Sequence, residues 1–317
     1  MSKIEFIQGK THINEMLDVF NNVSKSEYYL KQISFNELKG RINNEMIQDD
    51  CVICAKVDNE IVGYVTGYYK DSKGFLESIL VKKEWQNKGV GKALLGKLEA
   101  NLKNHGALSV RTATNYTWLI PNTDNHDHPN SPGIRINSPA YFFFLRQNYH
   151  LVAVQDAFHL DLAKFNISPV IASILEKNKH EGFVIELYQE NVHHSLDEFY
   201  LAIDNPGFER SIKYNLGLAK PHPFLVVTDI QKRVLGWTGA IWNEDSGRGH
   251  FDGITVSPEV RNKGLGKALF SMLAEQSKIN GAEFMTFYTG LTNPARYIYL
   301  SAGFQIAQTF GLLEKKL

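Results

Sequence analysis

Arg261-Asn262-Lys263-Gly264-Leu265-Gly266-Lys267-Ala268-Leu269 decides how this chain is read, because Gln86-Asn87-Lys88-Gly89-Val90-Gly91-Lys92-Ala93-Leu94 repeats it. Seven of the nine positions are identical at an offset of 175 residues. The same offset carries Glu77 to Asp252, Ile79 to Ile254, Val81 to Val256 and Gly106-Ala107 to Gly281-Ala282. A repeat at fixed spacing marks a duplicated structural unit. The 317 residues suffice for two domains that each bury a core.

Outward from the glycine segment, both copies read alike. Each opens with a strand (Ile4–Ile7; Phe183–Leu187) and a helical region. A hairpin follows: Cys51–Val57, the turn Asp58-Asn59 and Ile61–Tyr69 in one copy, Leu225–Thr228 and Val234–Trp242 in the other. A further strand, Phe75–Val81 or Phe251–Val256, runs into the glycine segment. Apolar spacing at Leu94, Leu95, Leu98 and Leu102, and at Leu269, Phe270 and Leu273, then predicts a helix. Between the copies, Ser168-Pro169 reads as an N-cap with Pro at the first helical position. The expected organisation is an N-terminal domain over 1–163, a connecting helix and linker over 164–182, and a C-terminal domain over 183–317.

A strand that enters a glycine-rich turn and then a helix makes an anion site. The first helical N–H groups lack intrahelical partners, and the macrodipole favours negative charge there. Glycine lets the backbone approach a pyrophosphate without a Cβ in the way. Gly264 and Gly266 serve in this reading, with Asn262, Lys263 and Leu265 supplying amides and Arg261, Lys263 and Lys267 adding charge. Gln86, Asn87, Lys88, Gly89, Val90 and Gly91 repeat the arrangement. A nucleotide P-loop needs Ser or Thr after its Lys, whereas Ala93 and Ala268 stand there. A dinucleotide fingerprint needs a third glycine, where Leu94 and Leu269 stand.

Both glycine segments resemble the pyrophosphate loop, Q/R-x-x-G-x-G/A, of the Gcn5-related N-acetyltransferase (GNAT) superfamily. Ile254-Thr255-Val256-Ser257-Pro258 looks like that family's fourth strand, with Ile79-Leu80-Val81 as its counterpart. Asn293-Pro294-Ala295-Arg296-Tyr297-Ile298-Tyr299, followed by Gly303-Phe304, is similar to its second signature. The resemblance implies an α/β (α+β) fold of two tandem domains, each a mixed, mostly antiparallel sheet flanked by helices. It implies an N-acyltransferase that moves an acetyl group from acetyl-CoA to a primary amine of a small molecule by direct attack, with no metal. It also implies that Ile254, Thr255, Val256 and Asn293, with Ile79, Leu80 and Val81 in the other copy, hold the cosubstrate.

Direct transfer asks for two proton movements, one from the amine and one to the departing thiolate. Tyr299 stands where the family often has the acid, and Asp252 is a strand carboxylate near the expected site. In the N-terminal copy the offset falls to 155, so that Phe144 occupies the place of Tyr299, and about twenty residues are inserted around Trp118–Ile134. That copy is expected to be non-catalytic. Two other functions compete: acetylation of a protein, and CoA binding or sensing without chemistry.

Lys plus Arg and Asp plus Glu are equal at 34 each, so no net field draws the chain to nucleic acid or an anionic membrane. No apolar run approaches the roughly 20 residues of a membrane span, and the start of the chain lacks a signal-peptide stretch, so the expectation is cytoplasmic. Cys51 and Cys54 are read as buried strand residues on opposite faces rather than a redox or metal pair. His126 and His128 are read in a surface loop, His193-His194 at a solvated helix start, and Tyr141 to Phe144 as core.

Overall fold

The computed structural model describes residues 3–27, 29–113, 116–123 and 125–317. Met1 and Ser2, read above with the chain start, and Asp124 of the histidine loop lie outside them. Two compact units result: Met1–Asp156 together with Gln308–Leu317, and Ala157–Ala307.

In the first unit, β1 (Glu5–Gln8), β2 (Val52–Val57) and β3 (Glu60–Lys70) form an antiparallel run that continues into β4 (Lys73–Val81). Asp58 and Asn59 both take positive φ, as a two-residue hairpin turn of matching twist requires. Alternation along β2 builds the two faces. Ile53 and Ala55 join the core under α3 (Val90–Asn104), while Val52 and Cys54 join the core under α1 (Ile13–Ser26) and α2 (Phe35–Ile42). Cys51 also joins the core under α3, but it ends a short 3₁₀ turn before β2 and is not a strand residue as read above. The two thiols therefore sit on opposite faces, and burial pushes each up to about 12. Helix α1 buries Met16, Val19, Phe20 and Val23, a helical stripe. A capping box of Ser34 and Glu37 starts α2.

After α3, β5 (Ser109–Thr112) runs parallel to β4, from Lys73 opposite Ser109 to Leu76 opposite Thr112. Beyond Leu76 the two strands part. The expected insertion forms β6 (Trp118–Leu119), β7 (Asp127–His128) and β8 (Ile134–Arg135), and α4 (Pro139–Arg146) follows. This corrects the surface-loop reading of His128. It is 2% exposed and stacks on Trp118 at 5.5 Å, while Lys31 pairs with the neighbouring Asp127. Strand β9 (His150–Asp161) leads on into the second unit.

There, α5 (Pro169–His180) starts at Ser168, whose side chain accepts from the amide of Ile171. Helix α5 groups with the second unit, as does the expected linker around it. Strands β10 (Val184–Leu187), β11 (Leu225–Thr228), β12 (Val234–Thr238) and β13 (Ile254–Val256) form one antiparallel sheet, with α6 (Leu196–Ile203) and α7 (Pro206–Leu216) before β11. His193 is not solvated: it is 4% exposed, its Nδ1 accepts from the amide of Gln189, and its Nε2 lies 3.3 Å from Glu186. One core packs α8 (Leu265–Ile279) on the sheet through Leu265, Leu269, Phe270 and Leu273. The other packs Phe199, Tyr200 and Ile212 on Val226 and Trp237.

β14 (Phe284–Gly290) and α9 (Ala295–Ser301) complete the unit, and β15 (Gln305–Lys316) leads out of it. The sequence reading put residues 308–317 in the C-terminal domain. They group with the first unit because Glu314, Lys315 and Lys316 pair antiparallel with Arg111, Val110 and Ser109 of β5. Leu313 is fully buried there, and Arg111 binds Glu314 with Nε donating at 2.7 Å.

Candidate active site

Both glycine segments adopt one backbone. Asn87 and Asn262 have φ of 59° and 65°, and Gly89 and Gly264 have φ of 87° and 79°. These left-handed residues end in the N-caps of α3 and α8, each 15 residues long. Gly264 needs its identity twice over, because a Cβ there would also meet Ile174 of α5 at 3.0 Å. At Gly89 a Cβ would meet nothing within 4 Å.

The first turn-closing bonds are those of Ala93 to Gly89 and Ala268 to Gly264. Among the described residues, the amides from Asn87 to Lys92 and from Asn262 to Lys267 have no hydrogen-bond partner. Each loop is thus a concave row of N–H donors at the positive end of a helix, a ready anion cradle. The charges around it are less uniform. Lys263 is engaged: its Nζ lies 2.8 Å from Glu181 and over the ring of Phe183, and its carbonyl accepts from Asn178. Arg261 and Lys267 are exposed, as are Gln86, Asn87, Lys88 and Gly89.

Beside the second cradle the sheet splits, since β13 pairs with β12 and not with β14. Gly253 O accepts from Gly239 N, and Ser257 N donates to Leu235 O, both towards the β12 side. Strand backbones alternate, so Thr255 shares that direction, while Ile254 and Val256 turn their amides and carbonyls onto the open edge. Lys82 N donating to Val62 O sets the same parity for Ile79 and Val81 in the first unit, with Leu80 turned the other way. Asn293 is already employed: its Nδ2 donates to Thr289 Oγ1 and its Oδ1 accepts from Ala295 N, at the start of α9.

Tyr299 lies in α9 and is 5% exposed, ringed by Phe287 at 4.5 Å, Phe270 at 4.9 Å, Phe158 at 5.4 Å and Phe251 at 6.0 Å. Burial alone pushes its phenol up to about 12, so it keeps its proton at any ordinary pH. Phe144 is buried in the corresponding helix of the first unit, and nearby Tyr149 gives its hydroxyl proton to Glu99 at 3.0 Å. Glu77, the counterpart of Asp252, is pushed up to about 7 by burial, against the pull of Arg41.

Asp252 is not a strand residue, in contrast to the reading above. Gly253 has φ of 147° and lies so close to Phe208 that a Cβ would approach its ring to 2.3 Å, so β13 begins only at Ile254. Asp252 instead lines a cleft of about 530 Å³ with Arg210, Tyr214, His222, Trp242 and His250. His222 stacks on Trp242 at 5.5 Å and Trp242 on His250 at 4.4 Å. His250 Nε2 lies 2.7 Å from Asp252 Oδ1. Sequence reading missed these cleft residues, although His250 and Asp252, two apart in an extended run, share a face.

The geometry defines a tandem of two α/β units, each with a glycine-loop anion cradle beside a splayed strand edge. The chain belongs to the acetyltransferase (GNAT) family, whose model matches residues 16–120 and 189–304. Three solved structures share the fold over 99% of this chain. The glucosamine N-acetyltransferase region of a fungal multi-domain GH3 β-N-acetylglucosaminidase superposes with a TM-score of 0.68 at 16% identity, and this chain spans 38% of that one. A GCN5-related N-acetyltransferase of Sphaerobacter thermophilus gives 0.64 at 15% identity over 95% of its length. A tandem GNAT protein from the clavulanic acid biosynthesis pathway gives 0.58 at 13% identity over 98%. No curated protein sequence matches. Among the described residues no helix is long and apolar enough to cross a membrane.

Proposed function

We propose that the second unit transfers an acetyl group from acetyl-CoA to a primary amine of a small molecule held in the Trp242–Asp252 cleft. One observation carries this reading: the unpartnered amides from Asn262 to Lys267 and the outward amides of Ile254 and Val256 lie along one path of the chain, and Asp252 precedes it.

In this mechanism the amides of Asn262 to Lys267 hold the pyrophosphate, with Arg261 and Lys267 as the exposed cations. The Val256 amide, on the open edge, donates to the thioester carbonyl, where negative charge grows only as the amine attacks. The amine nitrogen forms the C–N bond, the C–S bond breaks, and Tyr299 gives its proton to the departing thiolate. The amide nitrogen then returns a proton to the Tyr299 phenolate. A phenol raised to about 12 stays protonated and neutral until the thiolate appears. Asp252 receives the substrate ammonium.

The first unit, in the same reading, keeps its cradle and lacks the acid: Phe144 has no proton to give, and Tyr149 is held on Glu99. The test is a panel of small amines with acetyl-CoA, followed by release of free thiol. Thiol release with no member of a broad panel, alongside acetylation of a peptide N-terminus or lysine, would replace the small-molecule acceptor with a protein.

A further inference from the structure

Behind Asp252 the cleft wall holds an ordered series of charges that simple ammonium binding does not need. Arg248 grips Glu244 with two nitrogens, Nε donating at 2.8 Å, and anchors itself by Nη1 to the carbonyl of Thr286 at 2.8 Å. Glu244 Oε1 lies 3.5 Å from His250 Nδ1, an ion-pair distance at which that buried nitrogen has no hydrogen bond. His250 Nε2 reaches Asp252 at 2.7 Å. The ring cannot swing, because Trp242 stacks on it at 4.4 Å and the His250 amide donates to the Trp242 carbonyl. An imidazole is thereby fixed between two carboxylates, one facing the cleft and one backed by an arginine.

We infer that His250 is a positioning residue and proton relay, drawing the proton of the acceptor ammonium through Asp252 and holding it between Asp252 and Glu244. The inference rests on the acetyl-transfer reading above. The 2.7 Å contact of Nε2 with Asp252 Oδ1 is that of the protonated ring; the working form arises when that proton has left to solvent, and it is neutral with its Nδ1 proton towards Glu244. The ammonium gives one proton to a carboxylate oxygen of Asp252, and Asp252 gives one to Nε2. The free amine lone pair then attacks the thioester, and the imidazolium later releases its proton to solvent. No electron pair or proton is left unassigned.

The charged surroundings favour this acceptor. Burial pushes His250 down, yet Asp252 and Glu244 outweigh it and leave the ring above its ordinary 6.5. Arg248 opposes them as the smallest of the influences on the ring, and Glu244 itself, which burial pushes up, is held down at about 2 by His250 and Arg248 together. His222, one ring further along the stack, and Arg210 and Tyr214 of α7 are the other titratable or cationic groups that line the cleft with it and Asp252. The relay works only while His250 is neutral. The acid limb of kcat/KM therefore lies above pH 6.5, and rate is lost as pH falls through it.

The test compares the full-length wild type with His250→Gln and Asp252→Asn on one amine that the wild type acetylates. Three readouts are followed: the pH profile of kcat/KM, CoA affinity by calorimetry, and the NMR titration of the His250 ring. His250→Gln is expected to lose the acid limb and about 10²-fold or more of kcat, with CoA affinity unchanged. Asp252→Asn is expected to lower the His250 titration, and the double variant to be no worse than either single one, as residues acting as a unit behave. His250→Asn repeats the test should His250→Gln not fold. A wild-type limb that survives removal of His250, or a His250 ring titrating below 6.5 in the wild type, overturns the relay alone. A wild type that acetylates no amine overturns both readings.

Discussion

Tyr299→Phe separates chemistry from packing, because the structure assigns different consequences to the ring and to the hydroxyl. The ring touches four aromatic neighbours at centroid distances from 4.5 to 6.0 Å, and Phe keeps every one of those contacts. Burial is the one cause that shifts the phenol, and no hydrogen bond to its oxygen is present among the described residues. Removing the hydroxyl therefore strands no partner, and stability should change by less than about 1 kcal/mol. That corresponds to roughly 4 °C or less for a unit of this size. Loss of a general acid instead costs about 10²–10⁴ in kcat, or about 3–5 kcal/mol of barrier. Thiol release with saturating acetyl-CoA reads the chemistry, and a thermal midpoint reads the packing. The sign of the pH dependence follows from the raised phenol. The protonated form stabilises the fold fully below pH 10, and that stability is lost as pH rises through about 12. Tyr299→Phe should lack this alkaline loss. A variant with full kcat would reduce Tyr299 to a core aromatic and remove the assigned acid.

Gly266→Asp should keep the fold, since a carboxylate at the second position of α8 suits the helix dipole and a Cβ there meets only the tip of Ile298. At about 5 Å from a phosphate oxygen it should cost about 3 kcal/mol of CoA binding at an effective dielectric near 20, and unchanged affinity by calorimetry would move the pyrophosphate elsewhere. Gly264→Ala should destabilise more than Gly89→Ala in denaturant titrations, by about 1 kcal/mol, because both need positive φ but only Gly264 faces Ile174; equal costs would mean α5 yields freely. For Glu77, whose folded pKa is raised to about 7, wild-type stability should fall as pH rises from about 5 to 8. Glu77→Gln should flatten that slope, and an unchanged slope would assign it to other groups.

The elements legible in the sequence were those set by neighbours in the chain. The glycine loops, the Asp58-Asn59 turn and the Ser168-Pro169 helix start follow from local backbone preference, and the duplication gave two independent readings of each loop. Strand ends were less legible where tertiary contact overrides pattern. Phe251–Val256 alternates like a strand, yet the approach of Phe208 to Gly253 breaks it and frees Asp252 for the cleft. His128 and His193 look solvated among polar neighbours, and are buried by partners such as Trp118 and Glu186 that no local window connects. The cleft escaped for the same reason. Arg210, His222, Trp242 and His250 come from separate segments, and only His250 and Asp252 carried a local sign of meeting.

Strand β15 gives the chain an order of completion. Strand β5, already paired with β4 on one side, meets its second partner only in residues 308–317, about two hundred positions later in synthesis, and the core that receives Leu313 stays open until then. A ribosome must therefore make the whole second unit before the first can close, and the first half of the chain must be kept from pairing its bare β5 edge with another molecule in the meantime. Cutting the gene between the copies would not yield two working halves. It would leave the leading half unfinished and the trailing half with a loose strand that belongs to its neighbour.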